Sequence, residues 1–361
     1  MAAVPMPDLW DAAPGWLNTA SYGLPPRPAW EALQAALADW RAGRVSWEGW
    51  AESCEQARGS FGRLVGADVT DVALGSQVSA LMGLIAASLP DGARVLVPDI
   101  EFTSNLFPWM VHADRGIEVV TVPSTRLIDA IDERTDVVAY SVVQSATGEV
   151  TDMAAVSAAA QAHGALRIVD ASQAIGWLPV DIRHADALAC GAYKWLMSPR
   201  GTAFLVVERA LAERIRPIAA GWFAGEDVHA SYYGPPLRLA GDAHRFDVSP
   251  AWFDWVGTAA SLDVIESIGV DRINAHDVAL ANRFRAGLGL APSDSAIVSV
   301  DRPDAAERLA AAGIRAATRA GSLRASFHAY TTESDVDAAL DALTAEPATA
   351  AADGDVPGSG P

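Results

Sequence analysis

Two residues between Leu166 and Gly201 have types and spacing that point to chemistry. Asp170 closes the run Leu-Arg-Ile-Val-Asp, which reads as a β-strand. Lys194 follows twenty-four residues later, in Gly191-Ala192-Tyr193-Lys194-Trp195. A carboxylate at the carboxyl edge of a parallel strand points into the crevice where such sheets bind ligands, and an amine one strand later reaches the same crevice. Together they suit pyridoxal phosphate, whose aldehyde forms an imine with an amine and whose pyridine nitrogen is kept protonated by a carboxylate. Each residue alone has a structural alternative: the Asp as a helix cap or turn former, the Lys as a stem lying on aromatic surface. Their joint placement is the signal. Composition adds to it, because 25 of the 26 basic residues are arginine and Lys194 is the only lysine. Arginine supplies charge but not an amine that can lose its proton.

Other stretches could complete such a site. Gly75-Ser76-Gln77 lies between the strand Val72–Leu74 and an apolar helix, where free N–H groups and the helix dipole favour a phosphate. Phe102, in Glu101-Phe102-Thr103-Ser104-Asn105, stands at a strand-to-helix turn and would stack on a planar ring, unless it is simply a core phenylalanine. Arg324, in Leu323-Arg324-Ala325-Ser326-Phe327-His328, would clamp a substrate carboxylate bidentately, although with 25 arginines a surface role is the default for any one of them. The glycine patterns of dinucleotide and nucleoside-triphosphate sites are absent.

The elements that must position these residues can be read from periodicity. Strands are expected at Val72–Leu74, Arg94–Val97, Glu118–Val122, Val137–Val143, Leu166–Asp170, Ala187–Cys190 and Ala203–Val207. Helical segments lie between several of them, among them Val78–Leu89 and Asp152–His163, with Trp47–Leu64 in front. This alternation predicts an α/β fold with a mainly parallel seven-stranded sheet flanked by helices. A smaller α+β unit follows, with helices at Trp252–Ile268, Asp271–Leu288, Ala305–Ala312 and Asp335–Leu343 and strands at Ile297–Val300, Ile314–Ala317 and Leu323–Phe327. The expected division is 1–45 joining the small domain, 46–244 as the large domain, 245–345 as the small one, and a disordered tail over 346–361.

The 361-residue chain carries 45 acidic and 26 basic side chains, a formal charge of −19, with no basic run. Nucleic acid is therefore an unsuitable partner. No apolar run is long enough for a transmembrane helix, and Met1–Trp10 lacks the pattern of a secretory signal. With only Cys54 and Cys190, a disulfide framework is excluded. These features predict a cytoplasmic protein.

The order Asp170-Ala-Ser-Gln173-x-x-Gly176, Tyr193-Lys194-Trp195-x-x-Ser-Pro199-x-Gly201, and Arg324-x-Ser326 before Thr332-Glu333-x-Asp335-Val336-Asp337 resembles the class V aminotransferase and cysteine desulfurase family. These are fold-type-I pyridoxal-phosphate enzymes, and the resemblance runs from Trp16-Leu17-Asn18 to Leu343. It implies Lys194 as the lysine that carries the cofactor, Asp170 as the pyridinium partner, Gln173 at the ring hydroxyl, Phe102 stacked on the ring and Ser145 near it. It further implies Ser76 and Gln77 at the phosphate, Arg324 and Asn18 at the substrate, and a homodimer with shared active sites. Ser249-Pro250 stands where the family commonly has a Gly-Thr reaching the partner's phosphate, so Ser249 is the substitute. Cys190-Gly191-Ala192 also lacks a phosphate-binding serine that the family often carries there. A desulfurase is disfavoured, since no cysteine follows Lys194. The expectation is an aminotransferase acting on a small-molecule amino acid, with a carbon–sulfur β-lyase or epimerase-like enzyme as the alternative and a non-catalytic cofactor-binding scaffold as a third reading.

Overall fold

The computed structural model describes residues 6–345, so the tail expected over 346–361 lies outside the described residues. Helices α1 (Arg27–Ala42) and α2 (Trp47–Val65) precede β1 (Val72–Gly75). Then come α3 (Val78–Ala86), β2 (Arg94–Pro98), α4 (Phe107–Met110), β3 (Glu118–Val122), β4 (Val137–Ser141), α5 (Met153–His163), β5 (Leu166–Asp170), β6 (Ala187–Gly191) and β7 (Ala203–Val207). The remainder is α6 (Arg209–Ala212), α7 (Trp252–Ile268), α8 (Val270–Gly287), β8 (Ile297–Val300), α9 (Ala305–Ala311), β9 (Ala317–Arg319), β10 (Ser322–Ser326) and α10 (Glu333–Thr344).

Seven strands form one sheet in the order β1-β7-β6-β5-β4-β2-β3, with β7 antiparallel to both neighbours and the others mutually parallel. The expected seven strands and the mainly parallel sheet are borne out. Strands β4, β6 and β7 are buried at every residue, as continuous apolar runs covered on both faces require. Alternate side chains divide between two cores: Val138, Tyr140 and Val169 pack on one face, Val137, Ala139 and Ile168 on the other. A second, antiparallel sheet has the order β8-β10-β9 and its own core around Phe284, Leu309 and Phe327. The segment before α1 joins it, since Leu17 N–H donates to the Arg315 carbonyl at 2.8 Å and Ser326 N–H to the Leu17 carbonyl at 2.9 Å.

Helix ends follow local chemistry. Asp152 caps α5 by accepting from Ala155 N–H, and Gly164 ends it in the left-handed region at φ 72°. Thr332 and Asp335 form a reciprocal capping box on α10. Two strand expectations need correction. The strand expected at Val137–Val143 stops at Ser141, and Val143 pairs in isolation with Val150. The strand expected at Ile314–Ala317 lies at Ala317–Arg319, because Ile314 is buried against the small core and Arg315 pairs with Trp16.

Candidate active site

Strands β1, β2, β4, β5 and β6 run in one direction, so their carboxyl ends share an edge, and the turns leaving them bring most of the singled-out residues there. A cleft of about 220 Å³ at this edge is lined by Ser76, Gln77, Phe102, Asp170 and Lys194 among others. Lys194 is 7 % exposed, and its side-chain amine makes no hydrogen bond or ion pair among the described residues. Its Nζ lies 5.4 Å from the Phe102 ring centroid and 5.7 Å from that of Tyr193. Burial disfavours the ammonium and lowers the pKa to about 8; Asp170 opposes that shift and Arg324 adds to it. Asp170, buried at the end of β5, accepts from Ser172 N–H at 2.8 Å, and Ser172 Oγ accepts from Gly191 N–H at 2.9 Å. The turn after β5 is thereby tied to the end of β6. Ser76 and Gln77 are exposed before α3, whose first turn no side chain caps, leaving its N–H groups open.

A second cluster lies beside the cleft. Arg324, 1 % exposed on β10, donates from Nη1 to the Ser145 carbonyl at 2.7 Å and to Ser145 Oγ at 3.1 Å, and from Nη2 to Ser21 Oγ at 2.8 Å. Its Nε is buried without a partner, and no carboxylate neutralises it among the described residues. Burial, reinforced by Arg319, lowers its pKa to about 10. A buried guanidinium with a free donor and no counter-charge is costly unless an anion joins it. Gln173 holds Ser145 from the other side: its Nε2 donates to Ser145 Oγ at 3.1 Å and to the Ala20 carbonyl at 3.0 Å, while its Oε1 accepts from Trp195 Nε1 at 2.8 Å. The amide hydrogens of Gln173 are thus used within the protein, leaving one oxygen lone pair. Asn18 pairs by its backbone with Ser326, and its Oδ1 is buried without a partner. Ser249 stands apart, exposed and outside the cleft lining.

Several residues of the site have no counterpart among the sequence expectations. Buried Glu101 accepts from Ser141 N–H at 2.7 Å, from Ser141 Oγ and from Gln144 Nε2 at 3.2 Å, and burial raises its pKa. His328 and Asp277, both fully buried, pair at 2.8 Å through Nδ1 and Oδ2. His328 Nε2 meets the Trp195 carbonyl at 3.0 Å, and since a carbonyl only accepts, that nitrogen carries a hydrogen. The backbone after Lys194 is thereby anchored to α8. Close packing fixes it further: a Cβ on Gly23 would stand 2.1 Å from the Lys194 carbonyl oxygen, and one on Gly176, at φ +115°, 2.4 Å from that of Trp195. Tyr193 and Arg200 also line the cleft, with the Arg200 guanidinium carbon 4.8 Å from the Tyr193 ring centroid. Both cysteines are buried and free, and burial raises both thiols, Cys54 to about 12.

Known proteins are similar to this chain along most of its length. The family model described as Aminotransferase class-V matches residues 48–315. An uncharacterized aminotransferase of Bacillus subtilis is 29% identical over 324 residues, covering 84% of this chain and 86% of its own. Isopenicillin N epimerase of Streptomyces clavuligerus is 29% identical over 391 residues, covering 91% and 95%. Among solved structures, the cystine C–S lyase C-DES, in a mutant with glycine covalently linked to its pyridoxal-phosphate cofactor, superposes with a TM-score of 0.84 at 21% identity, covering 94% of this chain and 98% of that one.

Proposed function

The chain belongs to the aminotransferase class-V family, and from that premise we propose that it is a pyridoxal-phosphate-dependent enzyme acting on an amino acid as an aminotransferase. The observation that carries this reading is Lys194, a buried amine without a protein partner, in one cleft with Asp170. The residues present fit the cofactor: an amine for its aldehyde, a carboxylate for its ring nitrogen, an aromatic face in Phe102, and open helix amides beside Ser76 and Gln77 for its phosphate. When bound, the coenzyme supplies an electron-withdrawing ring that acidifies the substrate's α-carbon. Lys194, whose burial lowers its pKa to about 8, is suited to take a proton from that carbon and to deliver it to another atom, the proton shuttle on which transamination depends. Asp170 holds the proton on the ring nitrogen. Arg324 orients the substrate carboxylate with the help of Ser145, and Asn18, with a free buried oxygen, receives a donor from the substrate. Gln173 keeps one lone pair for the ring hydroxyl. In a homodimer, Ser249, exposed and outside the cleft lining of its own chain, would reach the phosphate bound by a neighbouring subunit.

A desulfurase role is disfavoured on structural grounds. Its mobile thiolate nucleophile is missing, because both cysteines are buried with raised thiol pKa values. A carbon–sulfur β-lyase or epimerase-like enzyme is the second reading, since both reactions use the same amine and the same guanidinium. The purified enzyme, given a panel of amino acids, distinguishes them. An aminotransferase turns over only when a 2-oxo acid acceptor is added. A β-lyase releases pyruvate and ammonia without one, and an epimerase inverts its substrate with no release. Turnover independent of an acceptor overturns the first reading, and no reaction with intact cofactor binding points to the scaffold.

A further inference from the structure

The coenzyme phosphate carries close to two negative charges, and the cleft offers few groups to balance them. Among the described residues lining it, the charged side chains are Asp170, Lys194 and Arg200. Asp170 repels an anion. Lys194 is committed to the aldehyde under the proposed function, on which this inference rests. Arg324 does not line the cleft and is tied to Ser145 and Ser21. Ser76, Gln77 and the amides of α3 give dipoles but no net charge. Arg200 remains. It is exposed and has no ion pair or hydrogen bond among the described residues, in a chain where most arginines are paired with carboxylates. Its guanidinium rests 4.8 Å from the centroid of Tyr193, which holds it at the cleft without neutralising it.

We infer that Arg200 is the cation that binds the coenzyme phosphate, forming charge-assisted hydrogen bonds alongside the first turn of α3. Arg200 and Tyr193 thereby occupy the role that a serine beside Gly191 would otherwise share. The arginine is held by the ring of the residue next to Lys194, so the phosphate is fixed at a set distance from the amine that meets the aldehyde.

The test compares two ligands that differ only in the phosphate. Full-length apoenzyme is titrated with pyridoxal phosphate and with pyridoxal, following tryptophan fluorescence, for the wild type, Arg200→Gln and Arg200→Lys, with folding checked by circular dichroism. The expected result is that Arg200→Gln weakens pyridoxal phosphate binding about tenfold, leaves pyridoxal binding unchanged, and is largely rescued by Arg200→Lys. Raising the salt concentration should shrink the wild-type preference for the phosphorylated ligand. Unchanged pyridoxal phosphate affinity in Arg200→Gln overturns the inference. So does an equal loss for both ligands, which would mean that Arg200 only shapes the cleft through Tyr193. A wild type that binds neither ligand refutes the cofactor reading itself, a distinct failure.

Discussion

At the residue scale, the properties of Lys194 follow from its surroundings. The side chain is 7 % exposed, has no ion-pair partner and carries a pKa of about 8, against about 10.4 for a free lysine. The folded apoenzyme therefore releases a proton in a pH range where the unfolded chain still holds it, and stability rises with pH between about 8 and 10.4. Below that window the buried ammonium costs roughly 3 kcal/mol. Lys194→Met apoenzyme should accordingly be more stable than wild type at pH 7 by up to that amount, with the gap closing as pH approaches 10; urea denaturation at both pH values measures it. The rate at which wild-type apoenzyme captures pyridoxal phosphate should rise through pH 8 and then level off. Lys194 and Asp170 were legible in the sequence because covalent chemistry with an aldehyde demands an amine and a carboxylate at those places. Arg200, Glu101 and the His328–Asp277 pair were not, because their partners are set by the folded chain. Asp277 meets His328 across 51 residues, and nothing in either neighbourhood announces the contact.

The anchor of the lysine loop belongs to the element scale. Arg324 sits on β10, and His328, just beyond that strand, bonds the Trp195 carbonyl while paired to Asp277 on α8. The same short segment thus carries the guanidinium and docks against the loop that carries the amine. Replacing His328 by Leu leaves a buried carboxylate and a buried carbonyl without partners, which should cost about 3–5 kcal/mol in urea denaturation. Gly176→Ala should destabilise as well and lower cofactor retention, since its Cβ would meet the Trp195 carbonyl carbon and oxygen. Strand positions were readable because β4, β6 and β7 are short apolar runs between turns. Helix α1 has no counterpart among the sequence expectations: its apolar stripe of Ala29, Leu33, Ala36 and Leu37 is built half from alanine, only Ala29 and Ala36 are buried, and the large side chains Trp30 and Trp40 stay more than half exposed.

At the scale of the whole molecule, two sheets have separate cores, and the larger carries Asp170 and Lys194 into the cleft while the smaller carries Arg324 beside it. We propose that the large unit corresponds to 46–244 and the small one to 245–345 with the N-terminal segment. Among the described residues no helix is long and apolar enough to cross a membrane. The proposed homodimer predicts a sedimentation mass twice the 37.8 kDa of one chain; a monomer with full cofactor affinity would contradict the assignment of Ser249 to a neighbouring subunit. The central claim, that Lys194 holds the coenzyme, is tested most directly by reducing the holoenzyme with borohydride and mapping the modified peptide by mass spectrometry. The account predicts a single pyridoxyl-phosphate adduct on the peptide containing Lys194. An unmodified Lys194, with the adduct absent or on the N-terminal amine, would contradict it.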